Sequence, residues 1–132
     1  MRKRKVSKLQ KRKEDVKGKY WLNKADRAWA LEVKARAGAC EICGATEHLN
    51  SHHIIPREVK ATRHIPENGI CLCVKHHKYG MESIHKNPAK VLAWIRCYLP
   101  SRYDWIIHNI HNVSTKPVDY KEAYERLAKD IS

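Results

Sequence analysis

What the sequence lacks sets the first limits. Its 132 residues contain no run of about 18 apolar residues, the length a membrane-spanning helix needs. Residues 1–19 lack the apolar stretch of a secretory leader, so export is not expected. Acidic residues are scarce: 14 Asp+Glu face 27 Lys+Arg, giving a net charge of +13. Such a surplus points to a polyanion, either nucleic acid or an anionic membrane surface. With no apolar span, nucleic acid is the stronger expectation. The length suits one domain, with or without a tail, and excludes two cores of ordinary size. In the reducing compartment this implies, five cysteines are expected to be metal ligands or buried thiols rather than disulfides.

The charge is concentrated at the start. Ten basic residues lie between Met1 and Lys19, Arg2, Lys3, Arg4 and Lys5 among them, against Glu14 and Asp15. With only Val6, Leu9 and Val16 as sizeable apolar residues, residues 1–19 read as a mobile basic arm. Such an arm either helps to hold phosphates or is a solvated tail. Residues 20–132 read as a single domain. Asn23 can cap a first helix over 24–37, and Gly38 can stop it. Ala25, Trp29, Val33 and Ala37 form its apolar stripe.

Between Ala39 and His85 the composition shifts: seven of nine histidines and four of five cysteines fall there. Short strand-like stretches occur at 48–55 and 69–74. So short a segment builds little core alone, and bound metal is the usual remedy. Helical spacing returns over 88–131. Asn87-Pro88 forms a cap and start, Ser101 and Asp104 open a short helix, and a last stripe runs from Tyr120 to Ile131.

Cys40-Glu41-Ile42-Cys43-Gly44 is a knuckle that brings two thiolates to one ion, and Cys73-Val74-Lys75-His76 repeats the spacing. Together they supply the four ligands of a tetrahedral zinc site. Cys71 is a rival for Cys73, but only Cys73 has the two-residue interval to His76. A second set is His52-His53, then Asn68, then His77. Adjacent histidines on a strand face opposite ways, so one can bind metal while the other acts on water. His76 and His77, about 100° apart on a helix, can likewise serve two ions.

In this order and at intervals of 15 and 9 residues, His53, Asn68 and His77 with the cysteine frame resemble the HNH endonucleases. The likeness is greatest to small phage-type members with a zinc frame, and it spans about 39–99. Where His76 stands the family usually has Cys, so a Cys3His site is expected. The resemblance implies an α+β fold: a small, mostly helical domain around a ββα-metal core at 39–87, with a structural zinc knuckle. It implies a metal-dependent endonuclease that hydrolyses DNA phosphodiesters and leaves a 3′-hydroxyl. By the same resemblance His53 is the general base, and Asn68 orients it through a hydrogen bond to the ring. His52 and His77 hold one divalent ion, Mg²⁺, Mn²⁺ or similar. A bacterial or phage-infected cytoplasm is the expected setting.

His85 is a candidate third ligand. Eight residues of unbroken helix would place it about 12 Å from His77, so Gly80 must let the chain fold back. Otherwise His85 caps a helix or contacts phosphate. Arg57 and Arg63, between the strands, either meet phosphates or are solvated charges. Two other functions fit the charge and cysteine frame: a non-catalytic zinc module that binds nucleic acid, and a resolvase or recombination nuclease for branched DNA. A pure binding module has no use for the His52-His53/Asn68/His77 set.

Overall fold

The computed structural model describes residues 5–131, with Asp130 and Ile131 as backbone only. Arg2, Lys3 and Arg4 lie outside the described residues. Helix α1 (Lys8–Glu14) is followed by α2 (Lys19–Ala37), strand β1 (Leu49–His53) and strand β2 (Gly69–Cys73). A single π-helical turn (Lys75–Tyr79) leads to α3 (Pro88–Tyr98), α4 (Pro100–Asn109) and α5 (Tyr120–Ile131). The fold is α+β. No described helix is long and apolar enough to cross a membrane.

The two strands pair antiparallel, with His52 opposite Ile70 and His53 opposite Gly69. All five β2 residues are buried, because helices cover both faces of the sheet. Ile70 and Leu72 pack with Val91, Ile95 and Ile106 of α3 and α4. Cys71 packs on the other side with Ala28, Trp29, Val33 and Leu127 of α2 and α5. This two-sided burial explains why β2 reads as a continuous apolar run. The free edge of β2 is covered as well. The Cys71 N–H donates to Glu41 Oε2 at 2.8 Å, and the Glu41 N–H donates to the Cys71 carbonyl at 2.9 Å. Arg36 Nη2 donates to the Gly69 carbonyl at 2.9 Å.

Gly69 marks the closest approach of the sheet to α2. A Cβ there would sit 2.3 Å from Val33 Cγ2 and 2.8 Å from Trp29 Cζ2. Gly69→Ala is therefore expected to cost about 1–3 kcal/mol through overpacking. Urea denaturation checks this, and an unchanged midpoint would contradict it.

Three expectations about the chain's first part need correction. Residues 8–14 are helical: Ser7 Oγ accepts from the Gln10 N–H at 3.1 Å, and lysine, arginine and glutamine favour helix without an apolar stripe. The arm also contacts the body. Trp21 Nε1 donates to the Lys13 carbonyl and the Tyr120 N–H to the Val16 carbonyl, both at 2.8 Å. Finally, α2 begins at Lys19 with Gly18 at its N-cap, so Asn23 lies inside the helix. The extra turn brings Trp21 to 5.8 Å from the Tyr124 ring, and that packing outweighs the local cap signal. Gly38 ends the helix as expected, in the left-handed region at φ 69°. Asn87 caps α3 as expected, while α4 begins at Pro100, one residue before Ser101.

Candidate metal and catalytic centre

The knuckle is built on a tight turn. Gly44 takes φ 79°, its N–H donates to the Cys40 carbonyl, and the Cys40 N–H donates to the Ala45 carbonyl. This turns both thiols toward the end of β2. Cys43 Sγ lies 3.7 Å from Cys73 Sγ, and His76 Nδ1 lies 3.3 Å from Cys73 Sγ and 3.8 Å from Cys40 Sγ. Four ligands about 2.3 Å from a tetrahedral ion stand about 3.8 Å apart, slightly less where one is nitrogen. All four atoms fall within 4.8 Å of one another, so the set fits zinc. Burial would raise the Cys40 pKa, but backbone hydrogen bonds at Cys73, Cys43 and Ile42 outweigh it and lower the thiol. Burial pushes the Cys71 thiol up, as suits an inert core residue outside the set.

The second set lies on the α3 side of the sheet. The π-helical turn closes with the Gly80 N–H donating to the Lys75 carbonyl, and Gly80 then adopts an extended ψ of 152°. The chain doubles back, and the Ile84 and His85 N–H groups donate to the His76 and His77 carbonyls. His85 Nε2 thereby comes to 3.1 Å from His77 Nε2. The His52 ring lies 4.9 Å from that of His85 and 5.2 Å from that of His77. Nitrogens bound about 2.1 Å from one ion are about 3.0–3.4 Å apart at right-angled to tetrahedral geometry, so this trio also fits a metal. Burial, then the neighbouring histidines, lower the His52 pKa to about 4. Burial, with His85 and Lys78, lowers that of His77. Neutral imidazoles are the form that binds metal.

His53 faces the opposite way, as alternation along β1 requires. Its ring stacks on Trp29 of α2, with centroids 3.8 Å apart and planes 6° apart. His53 Nε2 donates to the Arg63 carbonyl at 2.9 Å, which leaves the lone pair on Nδ1. Burial lowers the His53 pKa to about 4.

Two expectations are corrected here. Asn68 spends its side-chain hydrogen bonds elsewhere than on the His53 ring. It is fully buried, its Oδ1 accepts from the Ile55 N–H at 2.7 Å, and its Nδ2 donates to the Ile55 and Thr62 carbonyls. Asn68 thus holds the start and the later part of the loop between the strands, and that loop carries the carbonyl that meets His53. Arg63 is not a free phosphate ligand. Its Nε and Nη2 make a bidentate pair with Asp26 at 2.9 and 2.8 Å, and its side chain is 9% exposed. His64, which sequence reasoning left without a role, donates from Nε2 to the same carboxylate at 2.7 Å. Burial would raise the Asp26 pKa, but the His64 and Arg63 hydrogen bonds and charges hold it well below the usual carboxylate range. Arg57 and Lys5 are exposed.

Sequence reasoning missed Asp26 and Trp29 because their partners lie 24–38 residues away, beyond any local motif.

A short antiparallel pair and a folded-back turn thus bring together a Cys3His set that could hold zinc and a histidine trio that could hold a second ion, beside an imidazole with its lone pair on Nδ1. A family model described as HNH endonuclease matches residues 40–79. That segment of the chain is similar to the HNH endonucleases. The match takes in both ligand pairs of the zinc frame and His52 to His77. It stops short of His85 and of the expected reach to 99, and it leaves out α2. Comparisons with curated proteins and with solved structures gave no match.

Proposed function

We propose that this protein is a metal-dependent DNA endonuclease that hydrolyses phosphodiester bonds and leaves a 3′-hydroxyl. The observation that carries the reading is the division of labour between two adjacent residues. His52 joins His77 and His85, while His53 has Nε2 tied to a carbonyl and Nδ1 free to accept a proton. His53 Nδ1 takes the proton of the water that attacks phosphorus. His52, His77 and His85 would hold the divalent ion, which when bound offsets phosphate charge and stabilises the departing oxygen. Asn68 keeps the loop, and with it the carbonyl that orients His53, in place. Cys40, Cys43, Cys73 and His76 would hold a structural zinc that fixes β2 and the turn bearing His77. Arg57, Lys5 and the residues from Arg2 to Arg4 supply positive charge for the DNA backbone.

The ligand set also bears on the metal. Three imidazoles with no carboxylate suit a transition ion better than Mg²⁺. Purified protein of measured zinc content, given supercoiled plasmid, is therefore expected to cut faster with Mn²⁺, Co²⁺ or Ni²⁺ than with Mg²⁺. Chelation should stop it. Plasmid binding without cleavage under every metal would instead favour a non-catalytic binding module.

A further inference from the structure

Asp26 lies outside the matched segment, and the catalytic scheme above does not use it. Its carboxylate accepts three hydrogen bonds, two from the Arg63 guanidinium and one from His64 Nε2. The backbone carbonyl of Arg63 is also the acceptor for His53 Nε2. One residue therefore joins the carboxylate to the imidazole. Helix α2 adds a second hold, since Trp29 covers the His53 ring and its Nε1 donates to the Ile65 carbonyl at 2.9 Å. The loop is thus gripped by α2 at three consecutive residues, 63, 64 and 65. Arg63 Nη1 also reaches the Arg57 carbonyl at 3.4 Å, which ties the near end of the loop to the same guanidinium.

We propose that Asp26 is a positioning residue for the general base: by clamping Arg63 and His64 it sets the carbonyl that keeps the His53 proton on Nε2 and the lone pair on Nδ1. The inference rests on the assignment of His53 as base. A planar guanidinium fork matches two carboxylate oxygens and cannot be matched by a carboxamide, which offers one acceptor and presents an NH₂ to the other arm. Asn at position 26 would thus leave a nearly buried cation half-paired, and Arg63 would have to turn, moving its carbonyl. A neutral imidazole takes the tautomer its hydrogen-bond partner selects. Once the carbonyl is misplaced, part of the population carries the proton on Nδ1 and cannot accept one from water. Where a carboxylate holds a catalytic histidine directly, the wrong tautomer costs about 10⁴ in kcat. Acting through Arg63, Asp26 should be worth less, about 10–100-fold.

The test uses the full chain, its zinc content measured, with supercoiled plasmid and the best of the divalent ions. Asp26→Asn is expected to lower kcat about 10–100-fold and leave KM unchanged. Arg63→Lys, which keeps the charge and loses the fork, should fall in the same way, and Asp26→Glu should keep part of the activity. ¹⁵N NMR of labelled histidine at fixed neutral pH should show His53 as the Nε2–H tautomer, and as a mixture in Asp26→Asn. In a His53→Ala background, Asp26→Asn should cause no further loss, because there is no base left to position. A multiplied loss there, an unchanged kcat in Asp26→Asn, or an unshifted tautomer would overturn the proposal. If Asp26→Asn fails to fold, Arg63→Lys carries the same kinetic and NMR readouts. If His53→Ala itself cleaves at the wild-type rate, the base assignment fails, and that result is distinct from a failure at Asp26 alone.

Discussion

His53→Ala is expected to lower plasmid cleavage by about 10²–10⁴-fold, the usual worth of a positioned general base. The loss should be confined to chemistry. His53 belongs to neither ligand set, so elemental analysis should find the structural zinc still present. The DNA affinity expected of the Lys and Arg surplus should persist. His77→Ala should stop cleavage by another route, through loss of the divalent ion. His52 and His85 remain to hold that ion weakly, so raised metal concentration should partly restore His77→Ala and do nothing for His53→Ala. A wild-type rate for His53→Ala, in protein free of host nuclease, would overturn the assignment of roles.

Removing the structural zinc should have the largest effect on folding. Zinc in small Cys/His sites contributes about 10–16 kcal/mol of apparent binding energy. The whole stability of a domain is about 5–15 kcal/mol. Cys43→Ser is therefore expected to unfold or aggregate the central segment, even though Cys43 is itself exposed. Far-ultraviolet circular dichroism and zinc content check this together. Cys71→Ser and Cys97→Ser serve as controls, since neither residue belongs to the ligand set. Each should keep one zinc per chain. Well-folded, zinc-free wild-type protein would overturn the prediction.

Much of the centre was legible in the sequence, and the reasons differ from residue to residue. The cysteine frame was legible because thiolate spacing is a local property: a two-residue interval and Gly44 fix the turn wherever the chain lies. The opposite orientations of His52 and His53 follow from strand alternation alone. The place of His85 could be stated only as a condition on Gly80, and the chain meets it through the π-helical turn and the extended Gly80. Asn68 and Arg63 were misread for one reason. Their side chains are polar and lie beside the candidate catalytic histidines, yet both are buried, and a buried polar group is governed by its partners. Those partners, Ile55 and Thr62 for one and Asp26 for the other, are set by packing of the loop and of α2. Burial on both faces of β2 is equally tertiary, since it depends on α2 and α5 meeting one face and α3 and α4 the other.

Glu41 stands between the Cys3His set and the sheet. It follows Cys40 directly, and its backbone and carboxylate occupy the outer hydrogen-bonding groups of Cys71. Arg102 holds the other carboxylate oxygen at 2.6 Å. An unpaired strand edge is a template on which another chain can add itself. The apolar run of β2 would be well suited to such growth, were its edge open. A zinc ion bound by the knuckle would therefore also keep this edge shut. Chains synthesised before zinc arrives would expose it, so self-association during folding should depend on how soon zinc is bound.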